Sequence, residues 1–255
     1  MLRGPRVVPH PGRVGILGTR RRRLLAGVAG LGAVVATLPL WLGAGATGEG
    51  ASRCETFAAQ SAARAAAVSG SGAPVLVVGD SYSAGLGLDD LTTSWPARLP
   101  GEVHVAGFSG SGFSPGASSC GARVAYDRRA PEALARLAAD DPAGADDAVV
   151  VLEGGLNDVD QPSGEIAAGF ERLLAGLEGH RVVVVGPPLA PERAAAVPRV
   201  DALLGELARA HGAAYVATSG LDLTYLPDRL HLTPEGHRVF GDHVAAALSA
   251  GPPAR

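Results

Sequence analysis

The chain has 255 residues and no lysine; all 22 basic residues are arginine. Every mechanism that needs a side-chain amine is therefore excluded, from P-loop phosphate binding to Schiff-base, pyridoxal and Ser-Lys chemistry. Only two cysteines are present, too few for a zinc site built from cysteine alone. A net charge of −3 gives no basic surplus for nucleic acid, and no nucleic-acid partner is expected. Aromatic residues are scarce at 4%, yet 47% of the chain is hydrophobic. That is enough to bury a sizeable core and rules out a wholly disordered or collagen-like chain. The length suits one α/β domain or two small ones.

The charge is unevenly placed. Residues 1–46 hold seven arginines (Arg3, Arg6, Arg13 and Arg20 to Arg23) and no acid. The other 15 arginines face all 25 acids, a net −10 over residues 47–255. A basic start followed by an uncharged stretch from Leu24 to Thr47 has the layout of an export signal, with Ala44-Gly45-Ala46 as a small-x-small cleavage site. Thr19 to Leu25 also loosely resembles a twin-arginine signal. The apolar run is just long enough to span a bilayer, so an uncleaved membrane anchor competes with the signal reading. Both readings put the folded part outside the cytoplasm, secreted or in the cell envelope, with membrane contact only through that segment. In that compartment Cys54 and Cys120 become a candidate disulfide. It would tether a helix expected over the Ala-rich residues 55–68 across a flexible SGSGAP linker at 69–74. Two unrelated buried thiols are the alternative.

Residues 75–250 alternate short β-branched runs with helical patterns. The strand candidates are Val75–Val78, Val103–Phe108, Ala148–Leu152, Val182–Val185 and Ala214–Ala217. Several are continuous apolar runs, as expected of parallel strands covered on both faces. Between them, Ile166, Phe170, Leu173, Leu174 and Leu177 form one apolar helical stripe, and Val200, Leu203, Leu204 and Leu207 form another. A weaker helix is expected over 131–139. A last helix starts with Thr233 as N-cap and Pro234 in its first turn. This alternation predicts a single three-layer α/β/α sandwich around a parallel sheet.

Ligands bind such sheets at the carboxyl ends of the strands. Those positions collect Ser81, Gly110, Gly112, Asn157 and, before the last helix, Asp228 and His231. A hydroxyl, an imidazole, a carboxylate, an amide and glycines at one sheet edge are the inventory of nucleophilic acyl transfer. Ser81 would be the nucleophile and His231 its base, with Asp228, three residues earlier, accepting the imidazole N–H. The backbone N–H groups of Ser81 and Gly110 and the amide of Asn157 are candidate oxyanion donors. Asp80 and Asp158 read as braces for the site loops, and His237 and His243 as helix-surface residues.

GDSYS at 79–83, the glycine of FSGSG at 108–112, GLND at 155–158 and DRLH at 228–231 resemble, in order, the four blocks of the GDSL/SGNH hydrolases. The resemblance spans roughly residues 75–250. It implies the same roles for Ser81, Gly110, Asn157, His231 and Asp228, a five-stranded parallel sheet of flavodoxin-like type, and a shallow site with no metal or organic cofactor. Two features depart from the pattern. Tyr82 replaces the usual Leu after the nucleophile, and the second block lacks the Asn that often precedes its glycine, which makes Gly112 the alternative to Gly110 as oxyanion donor. The implied function is an exported serine esterase acting on a lipid or acylated-glycan ester, with a lean towards short or medium acyl chains. An envelope acyltransferase using the same acyl-enzyme and a non-catalytic envelope-binding protein are the alternatives.

Overall fold

The computed structural model describes residues 44–250, so the signal or anchor expected over 1–46 lies almost wholly outside the described residues. Six strands form one sheet: β1 (Ser69–Ser71), β2 (Pro74–Gly79), β3 (Gly101–Gly107), β4 (Val149–Glu153), β5 (Arg181–Val185) and β6 (Ala214–Val216). Their spatial order is β1-β3-β2-β4-β5-β6. The five expected strands are all present and pair in parallel. Taken alone they run second-first-third-fourth-fifth, the flavodoxin order. Val77, Val78, Val150, Val151, Leu152, Val184 and Val185 are essentially inaccessible, because helices cover both faces of the sheet.

The sixth strand corrects the expected count of five. Ser69–Ser71, read as flexible linker, pairs antiparallel with β3, with Ser69 opposite Val103 and Ser71 opposite Gly101. Three small residues carry no strand signal of their own. Backbone hydrogen bonds to a sheet edge are sufficient to order them.

The helices are α1 (Ala44–Ala66), α2 (Ser81–Ala84), α3 (Tyr126–Asp140), α4 (Pro142–Asp147), α5 (Ser163–Ala175), α6 (Val197–Ala210) and α7 (Pro234–Ser249). Right-handed crossovers put α3, α5 and α6, which pack on one another in that order, over one face. The first crossover runs the opposite way and puts α2 and the 3₁₀ turn Trp95–Arg98 on the other face, where α1 and α7 join them. No described helix is long and apolar enough to cross a membrane. Helix α3 begins five residues before the expected start at Pro131 and carries that proline inside it. Tyr126 fixes the earlier start: it is buried, and its hydroxyl donates to Glu153 O at 2.8 Å.

In this topology the strand order reverses between β2 and β4. Ser81 follows β2 and Asn157 follows β4, so both candidate site residues flank the switch point, where such sheets bind ligands.

Candidate active site

Ser81 opens α2 directly after β2 and is 8% exposed. Asp80 caps this short helix by accepting the Tyr82 N–H at 2.9 Å. On the other side of the cleft, residues 221–232 form an irregular loop, closed by a bridge between Tyr225 and Leu232 and by the Leu226 N–H donating to His231 O at 2.7 Å. That loop presents His231. Its Nε2 lies 3.1 Å from Ser81 Oγ, and its Nδ1 lies 2.6 Å from Asp228 Oδ2. Three residues 150 positions apart at the extremes thus form one continuous relay. The other carboxylate oxygen, Asp228 Oδ1, accepts the backbone N–H groups of Leu230 and His231, both at 3.0 Å. Partial burial alone would raise the Asp228 pKa, but these hydrogen bonds outweigh it and hold the carboxyl at about 2. Asp228 therefore stays ionised beside the imidazole across the neutral range.

The two candidate glycines sit in different surroundings. In the stretch from Phe108 to Ser114, Gly110 alone escapes burial, and its φ of +78° favours a residue without a Cβ. Gly112 is packed against the Asp158 carboxylate, where a side chain would collide. Asp158 accepts the N–H groups of Phe113 at 3.1 Å and Ser114 at 2.8 Å, so it braces this loop. Burial pushes its pKa up to about 6.

Asn157 sits in a 3₁₀ turn after β4. Its Nδ2 donates to Ser111 O at 2.9 Å and to Asp80 Oδ2 at 3.2 Å. Both amide protons are thus engaged, and an oxyanion would have to share or replace the longer contact. The amide nevertheless ties together the turn after β4, the loop after β3 and the cap of the Ser81 helix.

Two buried charged residues that sequence reasoning missed support Ser81 from below. Glu153 accepts Ser83 Oγ at 2.6 Å and the backbone N–H groups of Asp80 and Ser83. Burial, reinforced by the nearby Asp80, pushes its pKa up. Arg129 donates to Gly79 O and Val124 O at 2.8 Å, to Ser111 Oγ at 2.9 Å and to Ala106 O. It joins the ends of β2 and β3 to the Gly110 loop. Its position on the inward stripe Tyr126, Arg129, Ala130, Ala133, Leu137 was a readable signal.

Tyr82 is core, and its hydroxyl donates to Leu230 O at 2.5 Å. The residue after Ser81 is therefore bound to the residue before His231. His237, read as a surface residue, is instead buried, and its Nδ1 accepts the Trp95 N–H at 3.3 Å. It belongs to the inward stripe of α7 with Phe240, Gly241 and Val244. His243 is half-buried on the surface of the same helix, with its Nε2 3.0 Å from Ala217 O. Cys54 and Cys120 are disulfide-bonded, with Cα atoms 5.5 Å apart. Among the described residues no cluster of His, Cys, Asp and Glu has the arrangement to hold a metal ion.

The chain belongs to the GDSL-like lipase/acylhydrolase family, whose sequence model matches residues 77–239. It is a carboxylic ester hydrolase of that type. No curated protein matches it by sequence. Its fold is that of solved esterases. The carbohydrate acetylesterase Est24 of Sinorhizobium meliloti shares 22% identity and superposes with a TM-score of 0.56 over 70% of this chain and 99% of its own. An aryl esterase of M. smegmatis shares 19% identity with a TM-score of 0.59 over the same shares. A putative arylesterase of Agrobacterium tumefaciens shares 21% identity with a TM-score of 0.53, covering 69% of this chain and 98% of its own.

Proposed function

We propose that the protein is an exported serine esterase using Ser81, His231 and Asp228 in an acyl-enzyme mechanism. The observation that carries this reading is the relay from Asp228 Oδ2 through His231 to Ser81 Oγ, with steps of 2.6 and 3.1 Å. Ser81 Oγ attacks the ester carbonyl carbon while its proton passes to His231 Nε2. The imidazolium formed is stabilised by ionised Asp228. Negative charge on the former carbonyl oxygen is met by the N–H groups of Ser81 and Gly110 and by Asn157 Nδ2. Collapse expels the alcohol, which takes the proton from Nε2. Water then attacks the acyl-enzyme by the same route in reverse roles and releases the acid. Every step uses groups of this chain and needs no cofactor.

Export is supported by the basic start and uncharged run of residues 1–47 and by the cysteine pairing, which suits an oxidising compartment. His231 and Asp228 are 16% and 48% exposed at the side chain, so the site opens directly to solvent. An open site fits esters of short or medium acyl chains, a range compatible with the acetylesterase and arylesterase activities of the structural neighbours. The test is Ser81→Ala in residues 47–255, assayed on p-nitrophenyl esters from acetyl to long acyl. Loss of hydrolysis and of fluorophosphonate labelling with an unchanged melting temperature is expected. Undiminished hydrolysis would eliminate Ser81 as nucleophile.

A further inference from the structure

Helix α1 precedes the family match, which begins at residue 77, yet its inward face touches both halves of the oxyanion side of the site. Between Ala51 and Ala65 the residues shielded from solvent are Cys54, Phe57, Ser61, Arg64 and Ala65, one stripe at helical spacing. Cys54 is bonded to Cys120, in the loop that also carries Gly110. Arg64 is buried, and its Nε donates to Ser83 O at 3.2 Å, at the carboxyl end of the nucleophile helix. Phe57 stands edge-on to Phe108, with ring centroids 6.3 Å apart. A Cβ placed on Gly110 would lie 4.0 Å from Phe57 Cε2, an ordinary contact distance. Both Phe57 and Gly110 keep partial access to solvent. The aromatic ring therefore borders the space into which the Gly110 backbone is open.

We propose that Phe57 is a specificity-determining residue: its ring is an apolar wall beside Gly110 that packs the non-reacting part of the ester, held there by the Cys54–Cys120 bond. The inference rests on the esterase reading, because Gly110 must receive the carbonyl oxygen for the rest of the ester to lie against Phe57. An aromatic face removes apolar surface from water in proportion to the area it covers. A bulky apolar or aromatic ester therefore gains from the wall, and a small one such as methyl acetate gains little. The disulfide closes a separation of 66 residues and ties the outer part of the helix, where Phe57 sits, to the loop that carries Gly110. Opening it would free the wall without altering Ser81, His231 or Asp228.

The test uses the exported chain from residue 47 with its disulfide formed, on one panel that lengthens the acyl group and a second that enlarges the alcohol. Phe57→Ala should lower kcat/KM about tenfold on the bulky members, through KM, and leave the smallest acetate within about twofold. Phe57→Leu should recover part of the loss. The Cys54→Ser/Cys120→Ser double variant should reproduce the Phe57→Ala selectivity profile. A loss uniform across both panels, or no loss, overturns the wall. Retention of wild-type selectivity by the folded double variant overturns the role of the disulfide. Fluorophosphonate labelling of Ser81 is read in parallel: if the wild type is not labelled, the esterase reading itself fails, whereas labelling without selectivity change refutes Phe57 alone.

Discussion

The segment that carries Ser81 is buried on every side, whereas the segment that carries His231 lies at the surface. Beneath Ser81, Glu153 receives the helix N–H groups and Ser83, while Arg129 ties the strand ends to the Gly110 loop. Opposite, Asp228 is half exposed, and Arg229 holds a left-handed φ of 58° in a loop with no regular secondary structure. Asp228 and His231 nevertheless keep their mutual geometry, because both hydrogen bonds to Asp228 Oδ1 come from the same short turn. Under the proposed mechanism, the contrast follows from the chemistry each half would supply. Donors for a developing oxyanion must be aimed beforehand, since reorienting them costs part of the stabilisation they provide. An imidazole that takes and returns a proton needs a fixed tautomer, which a local carboxylate supplies even at the surface.

The largest effect should come from the buried half. Asn157→Ala removes the amide that bridges Ser111 O and the Asp80 carboxylate and should lower kcat by about 10²–10³. Steady-state kinetics on a p-nitrophenyl ester checks this; a loss below about tenfold removes Asn157 from the oxyanion site. A second change severs the link between the halves. Tyr82→Phe deletes only the hydroxyl that reaches Leu230 O and should lower kcat about tenfold with KM within about twofold. The Asp228–His231 pair lies wholly within the other loop, so the acid limb of the pH–rate profile should stay in place. Full activity would show that the two halves do not depend on this tether, and a shifted limb would show that the Asp228–His231 pair is not self-contained in its loop. The accompanying loss of stability should be about 1 kcal/mol, the net worth of one hydrogen bond.

How much of this was legible in the sequence depended on whether a residue acts through its neighbours in the chain or through distant partners. Strands read as β-branched runs appear in the structure within a residue or two, because burial on both faces leaves a continuous apolar signature. Asp228 and His231 were legible as a pair, since three residues of separation place them in one turn. The cysteine pairing was legible only as a candidate, beside two separate thiols, from the count and the export-like layout of residues 1–46. Ser69–Ser71 was not legible, because an edge strand held by backbone bonds needs no particular side chains. Arg64, Arg129 and Glu153 were not legible as buried supports, because charged residues are rarely buried and each is held by backbone or hydroxyl partners far away in sequence. The Tyr82 hydroxyl has its partner 148 residues on, which no local pattern encodes.

A third effect, on stability and not on rate, concerns the anchor of the exposed half. Helix α7 follows His231 directly, and His237 fastens its first turns to the body by accepting the Trp95 N–H while packing against the Tyr82 ring. Burial, with the charges of His231 and Arg64, lowers its pKa from 6.5 to about 4. The unfolded chain therefore binds this proton first as pH falls. The stability linked to the neutral imidazole is complete above about pH 6.5 and is lost progressively down to pH 4, about 3 kcal/mol in all. Asp158 works in the opposite direction: its raised pKa, about 6, adds stability as pH falls from that value towards the ordinary carboxylate range. The wild-type profile alone therefore mixes the two signs, and a comparison isolates one. His237→Asn keeps an acceptor for the Trp95 N–H but cannot titrate. Its deficit relative to wild type, measured by urea unfolding, should be largest at pH 7 and shrink as pH falls to 4. A deficit constant over that window would mean that His237 does not carry the acid sensitivity of the α7 anchor.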